Sequence, residues 1–501
     1  MPLNDQDQIS RLNEQVLQLY HQGQYDSAST FAEQARDLAR MSIGEETVGY
    51  AHTVENLGEI HRAMGNAVSA ESLLKEALII KQRVLGESHL EYANTLNNLA
   101  GAYKTMGDYA QAEPLYKQAI AIREECLNER APLVATTLNN LADLYREMGR
   151  YHAAEPLHKR AQKIFLNTLG EFHPDYAVSL NNLALLYKSM GRYYEAEPLY
   201  EKVIEIDRQV LGENHPDYAT DLNNLAELYH YVGKYREAGP LYYLAAEIRR
   251  AVLGENHPDY ASSLNNLAAL YAATGRESQA LTLLEKSARI DNQIIQQVFA
   301  IESESQRIAF LKTFQGKQDL YVSLVTRYFS QTSAAVRQAF TLIKGRKLVQ
   351  VDARASKQDI VLGLKYPDLK TKLQQLQTLR MQNVEGTMKG KLPPEAQNDL
   401  ENLKHKMEQE IAEQAPELDA QTARKHSEFE VISKAIPMDF QLLDYVRYNE
   451  FDFEAVPADG RPRWKPARYL AFVTPNGESE EIRIIDLGDA AEIDRQISSS
   501  H

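Results

Sequence analysis

Residues 179–219 read SLNNLALLYKSMGRYYEAEPLYEKVIEIDRQVLGENHPDYA, and this stretch decides the fold. Its string Asn-Asn-Leu-Ala occurs five times at intervals of 42 residues, beginning at Asn97, Asn139, Asn181, Asn223 and Asn265. The segment Glu55-Asn56-Leu57-Gly58 is a weaker copy one interval earlier. A fixed period of roughly 20–50 residues indicates a chain built from stacked supersecondary repeats.

Two further positions carry the same period to the N-terminus. Glycine recurs once per repeat, at Gly23, Gly65, Gly107, Gly149, Gly191, Gly233 and Gly275. Alanine follows five residues later each time, at Ala28, Ala70, Ala112, Ala154, Ala196, Ala238 and Ala280. Together these positions define seven repeats, from about residue 5 to about residue 298.

The fifth repeat shows how each one forms two helices, called A and B. Helix A begins near His173-Pro174-Asp175, because proline suits the first helical position and aspartate there meets the positive end of the helix dipole. Gly191 ends helix A, since a left-handed residue after a helix is least strained as glycine. Helix B then runs to Leu211-Gly212. The apolar residues recur at spacings typical of amphipathic helices; they are Leu180, Leu183, Ala184 and Tyr187 in helix A, and Tyr193, Ala196, Leu199, Tyr200, Val203, Ile204 and Ile206 in helix B.

No helix pair of this kind can bury its apolar face alone, so stacked neighbours must form the core. The predicted fold class is mainly α: a right-handed α-solenoid of seven helix-pair repeats with a concave surface, then a helical region and a short, incomplete β-sheet at the C-terminus. The predicted domains are the solenoid at residues 1–298, a helical extension at 299–437 and a short α/β segment at 438–501.

The quoted stretch strongly resembles the 42-residue tetratricopeptide repeats of kinesin light chains and their bacterial relatives. The resemblance covers residues 1–298 and implies that helices A line a concave groove in which extended peptides lie. It also implies that the second asparagine of each pair faces the groove and hydrogen-bonds the ligand backbone. Those residues are Asn98, Asn140, Asn182, Asn224 and Asn266, with Asn56 in the weaker copy.

The residues themselves leave the role of these asparagines open. On a helical wheel both asparagines fall on the polar side of helix A, one near each edge, so the wheel does not choose between them. Lys104, Arg146 and Lys188 share one phase nearby and favour an acidic ligand segment. In the alternative interpretation the asparagines bond neighbouring helices and the cations are only solvated.

Composition argues against several classes of function. The net charge of −15 disfavours a general binder of nucleic acid or anionic membranes, whose affinity comes from Lys and Arg. The N-terminus lacks a secretory signal, no stretch approaches the roughly 18 apolar residues of a membrane span, and the single cysteine, Cys126, cannot form an internal disulfide. A reducing, cytoplasmic setting follows, and the phase of Cys126 predicts a packing position on helix B.

We expect no cofactor and no metal. The sequence contains no glycine-rich phosphate loop. Four histidines recur at the start of helices A, where they serve a turn: His89, His173, His215 and His257. Successive helix pairs lie about 8–10 Å apart, so histidines of neighbouring repeats are too far apart to bind one ion.

Beyond the repeats the hydrophobic pattern of the sequence changes twice. Pro367-Asp368 opens a helix whose leucine stripe is matched by Leu400, Leu403, Met407 and Ile411, so an antiparallel helical hairpin is predicted. The heptads are too few to require a coiled coil, and the alternative is two helices packed separately on the solenoid. From about residue 438 the segments LLDYVRY, ARYLAFVT and EIRIIDLG are short and rich in β-branched and aromatic residues, which predicts strands. A helix is predicted from about residue 490.

Residues 300–501 resemble the opening part of the CHAT domain, a caspase-like module, through SESQRIAFL, AAVRQAFTLIKGRK and LLDYVRYNEFDF. In that family the catalytic His and Cys follow this opening sheet, and no residue here matches them, so no catalytic residue is carried over. Three strands and a partial helix leave an open edge. We expect either that the rest is missing from this sequence, or that a separate polypeptide completes the fold, or that this end is frayed.

Three functions follow as hypotheses. The first is a non-catalytic scaffold that binds an extended peptide or partner protein in the groove. The second is a fragment of a CHAT-type cysteine peptidase without its catalytic half. The third is a structural rod that self-associates through its ends or its open sheet.

Overall fold

The computed structural model describes residues 5–21, 25–64, 66–299, 311–354, 441–475 and 482–499, and three isolated positions between them. The chain is mainly helical and ends in a small antiparallel sheet. It divides into two compact units, residues 1–213 and 214–501.

The first compact unit contains five helix pairs. Their bounds are α1 Asp5–His21, α2 Tyr25–Ser42, α3 Val48–Ala63, α4 Ala67–Leu85, α5 Leu90–Thr105, α6 Tyr109–Leu127, α7 Pro132–Glu147, α8 Tyr151–Leu169, α9 Pro174–Ser189 and α10 Tyr193–Val210. Odd-numbered helices are helices A and even-numbered helices are helices B. Each helix A packs on its own helix B, and α1, α3, α5 and α7 also touch the helix A of the next repeat. The consecutive pairing predicted from the period is therefore confirmed.

The second compact unit continues the pattern and then leaves it. Its elements are α11 Pro216–Tyr231, α12 Tyr235–Leu253, α13 Pro258–Ala273, α14 Glu277–Phe299, α15 Gln315–Tyr328, α16 Ser333–Arg354, β1 Gln441–Phe451, β2 Trp464–Pro475, β3 Arg483–Asp489 and α17 Ala490–Ser499. The first four form repeats 6 and 7. The three predicted strands and the final helix are confirmed.

The helix boundaries follow from residues chosen by the period. His173 caps α9 because its Nδ1 accepts the backbone N–H of Asp175 at 3.1 Å, and His89, His215 and His257 cap α5, α11 and α13 in the same way. Gly191 follows α9 with φ +73°, where an L side chain would be strained. The histidine row therefore serves helix starts, as predicted.

The recurrent alanines of the helices B are fully buried. All seven, from Ala28 to Ala280, are 0% exposed. Protein interiors are close-packed, so a position filled by a single methyl group has no space for a larger side chain. The period of this alanine is therefore the period of the helix crossing.

We expect Ala196→Leu, in α10, to lower the free energy of unfolding by about 1–3 kcal/mol, because the added carbons overpack the crossing. The control is Tyr194→Leu on the same helix, since Tyr194 is 85% exposed. Thermal melting of both variants checks the prediction. If Ala196→Leu melts at the wild-type temperature, the assignment of this position to the crossing is wrong.

One apolar core joins the last repeat to the sheet. It contains Leu284 of α14, Leu324 of α15, Phe340 of α16 and Phe472 of β2. The sheet has the order β1-β2-β3, with both pairs antiparallel. A register irregularity lies between Asn449 and Phe451, where the backbone N–H groups donate to α15 side chains instead. The sheet thus rests on α15 and α16.

The outer face of the sheet retains exposed apolar side chains, among them Leu443, Tyr445 and Ile485. Self-association through this sheet stays a prediction, as do the domain boundaries at 298 and 437. The predicted helical hairpin lies outside the described residues.

The packing position predicted for Cys126 is wrong. Its side chain is exposed in the last turn of α6, and its Sγ lies 3.1 Å from the carbonyl oxygen of Ser88. The in-phase residues Val84, Val210 and Val252 are each at least 40% exposed as well. At this phase the apolar residues in the last turn of helix B are exposed.

Candidate functional site

The second asparagines lie on the outward strip of helices A. In α9 the residues that keep solvent access include Val178, Asn182, Leu185 and Ser189, at spacings of four, three and four. Such spacing marks one face of a helix. Asn98 and Asn140 occupy the same phase in α5 and α7 and are also half-buried. We call the strip containing Asn98, Asn140 and Asn182 the asparagine face.

Most second asparagines bond the preceding repeat. The Nδ2 of Asn140 donates to Oδ1 of Asn97 at 3.0 Å, and the Nδ2 of Asn98 donates to Oε1 of Glu55 at 3.2 Å. Asn266 and Asn56 donate in the same way to Asn223 and Asn13. The inter-helix bonding left open by the sequence is thus present at these positions. These bonds use the Nδ2 donor of each second asparagine.

The series of hydrogen bonds from each second asparagine to the preceding repeat is interrupted at Asn182. Its expected acceptor, Oδ1 of Asn139, lies 3.0 Å from Nδ1 of the buried His158 instead. Among the residues that the structure describes, the side-chain amide of Asn182 has no hydrogen-bond partner. Asn182 is half-buried, so both its donor and its acceptor remain within reach of a ligand. Asn224, in α11, is half-buried and has a partner.

The cations beside the asparagine face form ion pairs. Lys104 of α5 bonds Asp143 of α7 and lies 3.3 Å from Glu147, while Arg146 lies 2.6 Å from Asp143. Burial alone would raise the pKa of Asp143, but the bonds from Lys104 and Arg146 hold it below its ordinary value. These two charges are therefore balanced within the protein. Lys188 is half-buried and also has a partner.

The same phase in repeat 6 is covered by the C-terminal segment. His230 of α11 is 2% exposed, and its carbonyl oxygen accepts a hydrogen bond from Nη2 of Arg463 at 2.7 Å. Burial lowers the pKa of His230 well below its ordinary value, so the imidazole is neutral near pH 7. The charge found at Lys104 and Arg146 is thus absent here, and the loop between β1 and β2 takes its place.

Comparison with family models identifies the repeats. The family described as Tetratricopeptide repeat matches residues 12–78, 50–125, 133–193, 180–242 and 222–293, which together make up more than half of the chain. The chain belongs to the tetratricopeptide repeat family. No curated protein sequence matches it.

Several solved structures are similar to this tetratricopeptide repeat chain. BtubC (BKLC) from P. vanneervenii is 27% identical, with a TM-score of 0.38 and coverage of 46% of this chain and 90% of that one. A kinesin light chain-like repeat protein of Podosopora anserina is 26% identical, with a TM-score of 0.37 and coverage of 41% and 97%. PilF of Pseudomonas aeruginosa is 22% identical, with a TM-score of 0.34 and coverage of 48% and 91%.

Membership of the tetratricopeptide repeat family supports a general role as a protein-interaction scaffold, and such repeats are typically non-catalytic. Among the described helices none is long and apolar enough to cross a membrane. The resemblance of the tail to the CHAT domain stays a prediction.

A buried polar cluster in repeats 2 and 3 was missed by the sequence reasoning. His52, Glu55 and Glu91 place ligand-type atoms within 4.8 Å of one another. Lys81, which is 0% exposed, lies 2.5 Å from Glu55 and 3.2 Å from Glu91. Its ammonium forms an ion pair with both carboxylates. A cation within the apolar stripe of helix B was the available signal, and Arg123 and Arg249 repeat it in phase.

Proposed function

We propose that the asparagine face binds an extended peptide segment of a partner protein, with Asn182 as its main polar contact. The observation that carries this proposal is the amide of Asn182, which has no partner among the described residues. A primary amide offers a donor and an acceptor, so it matches one peptide unit of a ligand in both senses.

The neighbouring residues extend this contact along the face. The Oδ1 of Asn140 accepts no hydrogen bond among the described residues, since only its Nδ2 is engaged by Asn97. Val178, one turn before Asn182, is 54% exposed and offers an apolar contact. An extended peptide has alternating side chains and free backbone groups, so it can use both kinds of surface.

The ligand need not be strongly acidic under this proposal. An acidic side chain would have to compete with Asp143 for Lys104 and Arg146. We therefore expect backbone contacts to carry the affinity. An acidic partner attracted by Lys104, Arg146 and Lys188 stays a prediction, as does the cytoplasmic location.

Selection from a random dodecapeptide phage library on the full-length protein tests the proposal. For the selected peptides we expect Asn182→Ala to weaken binding, and joint replacement of Asn98, Asn140 and Asn182 by Ala to weaken it at least tenfold, or about 1.4 kcal/mol. Isothermal calorimetry measures both affinities. Asn182→Ala removes no hydrogen bond among the described residues, so its fold should be unchanged.

The matched control is Tyr194→Ala, on helix B of the same repeat, where the side chain is 85% exposed. We expect it to leave binding within twofold of wild type. If the triple asparagine variant also binds within twofold while its thermal melt is intact, the contact lies elsewhere on the protein.

A further inference from the structure

A glutamate near the start of helix B organises the contact between successive repeats. It recurs at the same phase as Glu71, Glu113, Glu155 and Glu197. The tyrosine near the end of the next helix A donates to the first three of these carboxylates, with Tyr145 lying 2.8 Å from Glu113 and Tyr187 lying 3.2 Å from Glu155. Each of these repeats thus places one carboxylate against one phenol.

An arginine completes the arrangement in two of them. Nη1 of Arg150 lies 2.7 Å from Glu113, and Nη1 of Arg192 lies 2.6 Å from Glu155. Each guanidinium also stacks on the tyrosine of its own repeat, 4.3 Å from the ring centre of Tyr145 for Arg150 and 4.2 Å from that of Tyr187 for Arg192. Tyrosine and arginine together form a receptor for one carboxylate.

The receptor holds its carboxylate as an anion. A hydrogen bond from Lys117, with those from Tyr145 and Arg150, lowers the pKa of Glu113 to about 2. At Glu155 burial opposes this effect, but Lys159 and Arg192 still lower the pKa to about 2. Charge-assisted hydrogen bonds of this kind favour the ionised acid.

Repeat 6 lacks the glutamate, but repeat 7 keeps the receptor. The in-phase residue is Gly239, while Tyr271 and Arg276 stand at the phases of the tyrosine and the arginine. The guanidinium of Arg276 lies 3.9 Å from the ring centre of Tyr271, the same stacking as in repeats 4 and 5. Among the described residues, the Tyr271 hydroxyl has no hydrogen-bond partner, and the Arg276 side chain donates only to Thr274 and has no carboxylate partner.

The missing side chain leaves space in front of this receptor. A cleft of about 400 Å³ is lined by Tyr235, Gly239, Tyr243, Tyr271 and Arg276. A Cβ added at Gly239 would meet only Leu270, at an ordinary contact distance of 3.6 Å. Glycine is therefore not required here by crowding, and within a helix it costs about 0.5–1 kcal/mol relative to alanine. The glycine opens a site that Glu113 and Glu155 close in repeats 3 and 4.

We propose that this cleft, between helices α12 and α13, binds a carboxylate of a partner protein. The carboxylate occupies the place that Glu113 and Glu155 fill in their own repeats, accepting hydrogen bonds from the Tyr271 hydroxyl and the Arg276 guanidinium. An aspartate or glutamate side chain and a free polypeptide C-terminus both present this group. The cleft uses none of the residues of the asparagine face, so it goes beyond the function proposed above.

Three alanine-based pentapeptides test the proposal on the full-length protein. The first carries one central glutamate between acetyl and amide ends, the second has glutamine there, and the third is pentaalanine with a free C-terminus. The readout is the ¹H–¹⁵N signal of Arg276 Nε during titration at constant ionic strength, because charge contacts are screened by salt. We expect a saturable shift with the glutamate peptide, the free C-terminus or both, and none with glutamine. A saturable shift of equal size with glutamate and glutamine, or no saturable shift with any of the three peptides, would overturn the proposal.

Variants of Gly239 and Arg276 separate this site from simple surface charge. We expect Gly239→Glu to supply the carboxylate from within the protein and to weaken peptide binding at least tenfold, whereas Gly239→Ala stays within threefold of wild type. Arg276→Gln should also lose at least tenfold. Wild-type binding by Gly239→Glu would overturn the proposal.

Asn182→Ala keeps the two proposals distinct. We expect this variant to bind the glutamate peptide as wild type does, because Asn182 lies outside the cleft. Failure of the asparagine face therefore leaves this site standing, and failure of the Arg276 variants leaves the asparagine face standing.

Discussion

Lys81→Met is expected to lower the local stability of repeats 2 and 3 by about 3–5 kcal/mol, the range for breaking a buried ion pair from one side. Lys81 is 0% exposed and bonds Glu55, which is itself 7% exposed and also accepts from Thr95 at 2.8 Å. Methionine preserves the stem but leaves the Glu55 carboxylate buried without a cation. Native-state hydrogen exchange of peptides from residues 48–105 measures the effect, since repeat arrays open locally.

Two controls isolate the buried charge. Lys75→Met lies on the same helix, but Lys75 is half-exposed and pairs with Glu71 one turn away, so we expect a change of at most about 0.5 kcal/mol. The double variant Glu55→Asn with Lys81→Met removes both charges and restores the asparagine of the other repeats. It should recover more than half of the lost stability. If Lys81→Met alone costs no more than Lys75→Met, the buried pair does not stabilise these repeats.

Acidification from pH 7 to pH 4 is expected to destabilise repeat 4 by about 3 kcal/mol through His158 alone. Burial lowers the pKa of this histidine from 6.5 to about 4. The unfolded chain therefore binds the proton more tightly than the folded chain does. The contribution of His158 to the free energy of unfolding is fully present above pH 6.5. It is lost progressively as the pH falls towards 4, at about 1.4 kcal/mol per pH unit.

The geometry explains the cost of this proton. Nδ1 of His158 lies 3.0 Å from Oδ1 of Asn139, and an amide oxygen only accepts, so Nδ1 carries the proton of the neutral ring. Nε2 is buried and has no partner among the described residues. Protonating it would bury a charge and a donor without an acceptor.

The matched variant is His158→Tyr, because Tyr116, Tyr200 and Tyr242 occupy the same phase and are each 2% exposed. Hydrogen exchange at pH 7, 5.5 and 4 follows residues 132–169 in both proteins. We expect the variant to lose less stability than wild type over this range, with a difference that grows below pH 6.5. If the stability of the two proteins falls in parallel as the pH is lowered, the assignment of this acid sensitivity to His158 is wrong.

Much of the fold was predictable because its signals are local and repeated. Gly191 marks a helix end and Ala196 a helix crossing, and both return every 42 residues, while His173 marks a helix start that returns as histidine in four repeats. The strands were also found, since β1 and β2 are rich in aromatic and β-branched residues. Local backbone preference and helical periodicity suffice for such features.

The candidate sites were predicted only in part. The sequence placed Asn182 on the polar side of helix A, yet it gave no reason to separate Asn182 from Asn140. That difference arises because His158, on helix B of the preceding repeat, takes the acceptor that Asn182 would use. The cleft at Gly239 is likewise recognised only from the structure. There Tyr271 and Arg276 take the places of the tyrosine and arginine that bind a glutamate in repeats 4 and 5.

The sequence by itself determined the seven repeats, their helix pairs and the positions that every repeat shares, because these depend on neighbours within one helical turn or one helix hairpin. The tertiary structure decided which polar groups are paired and which are left for a ligand. Those pairings join residues about one repeat apart, as from Asn140 to Asn97 or from Tyr145 to Glu113. A single substitution at Gly239 therefore changes the chemistry of an interface while leaving the period of the sequence intact.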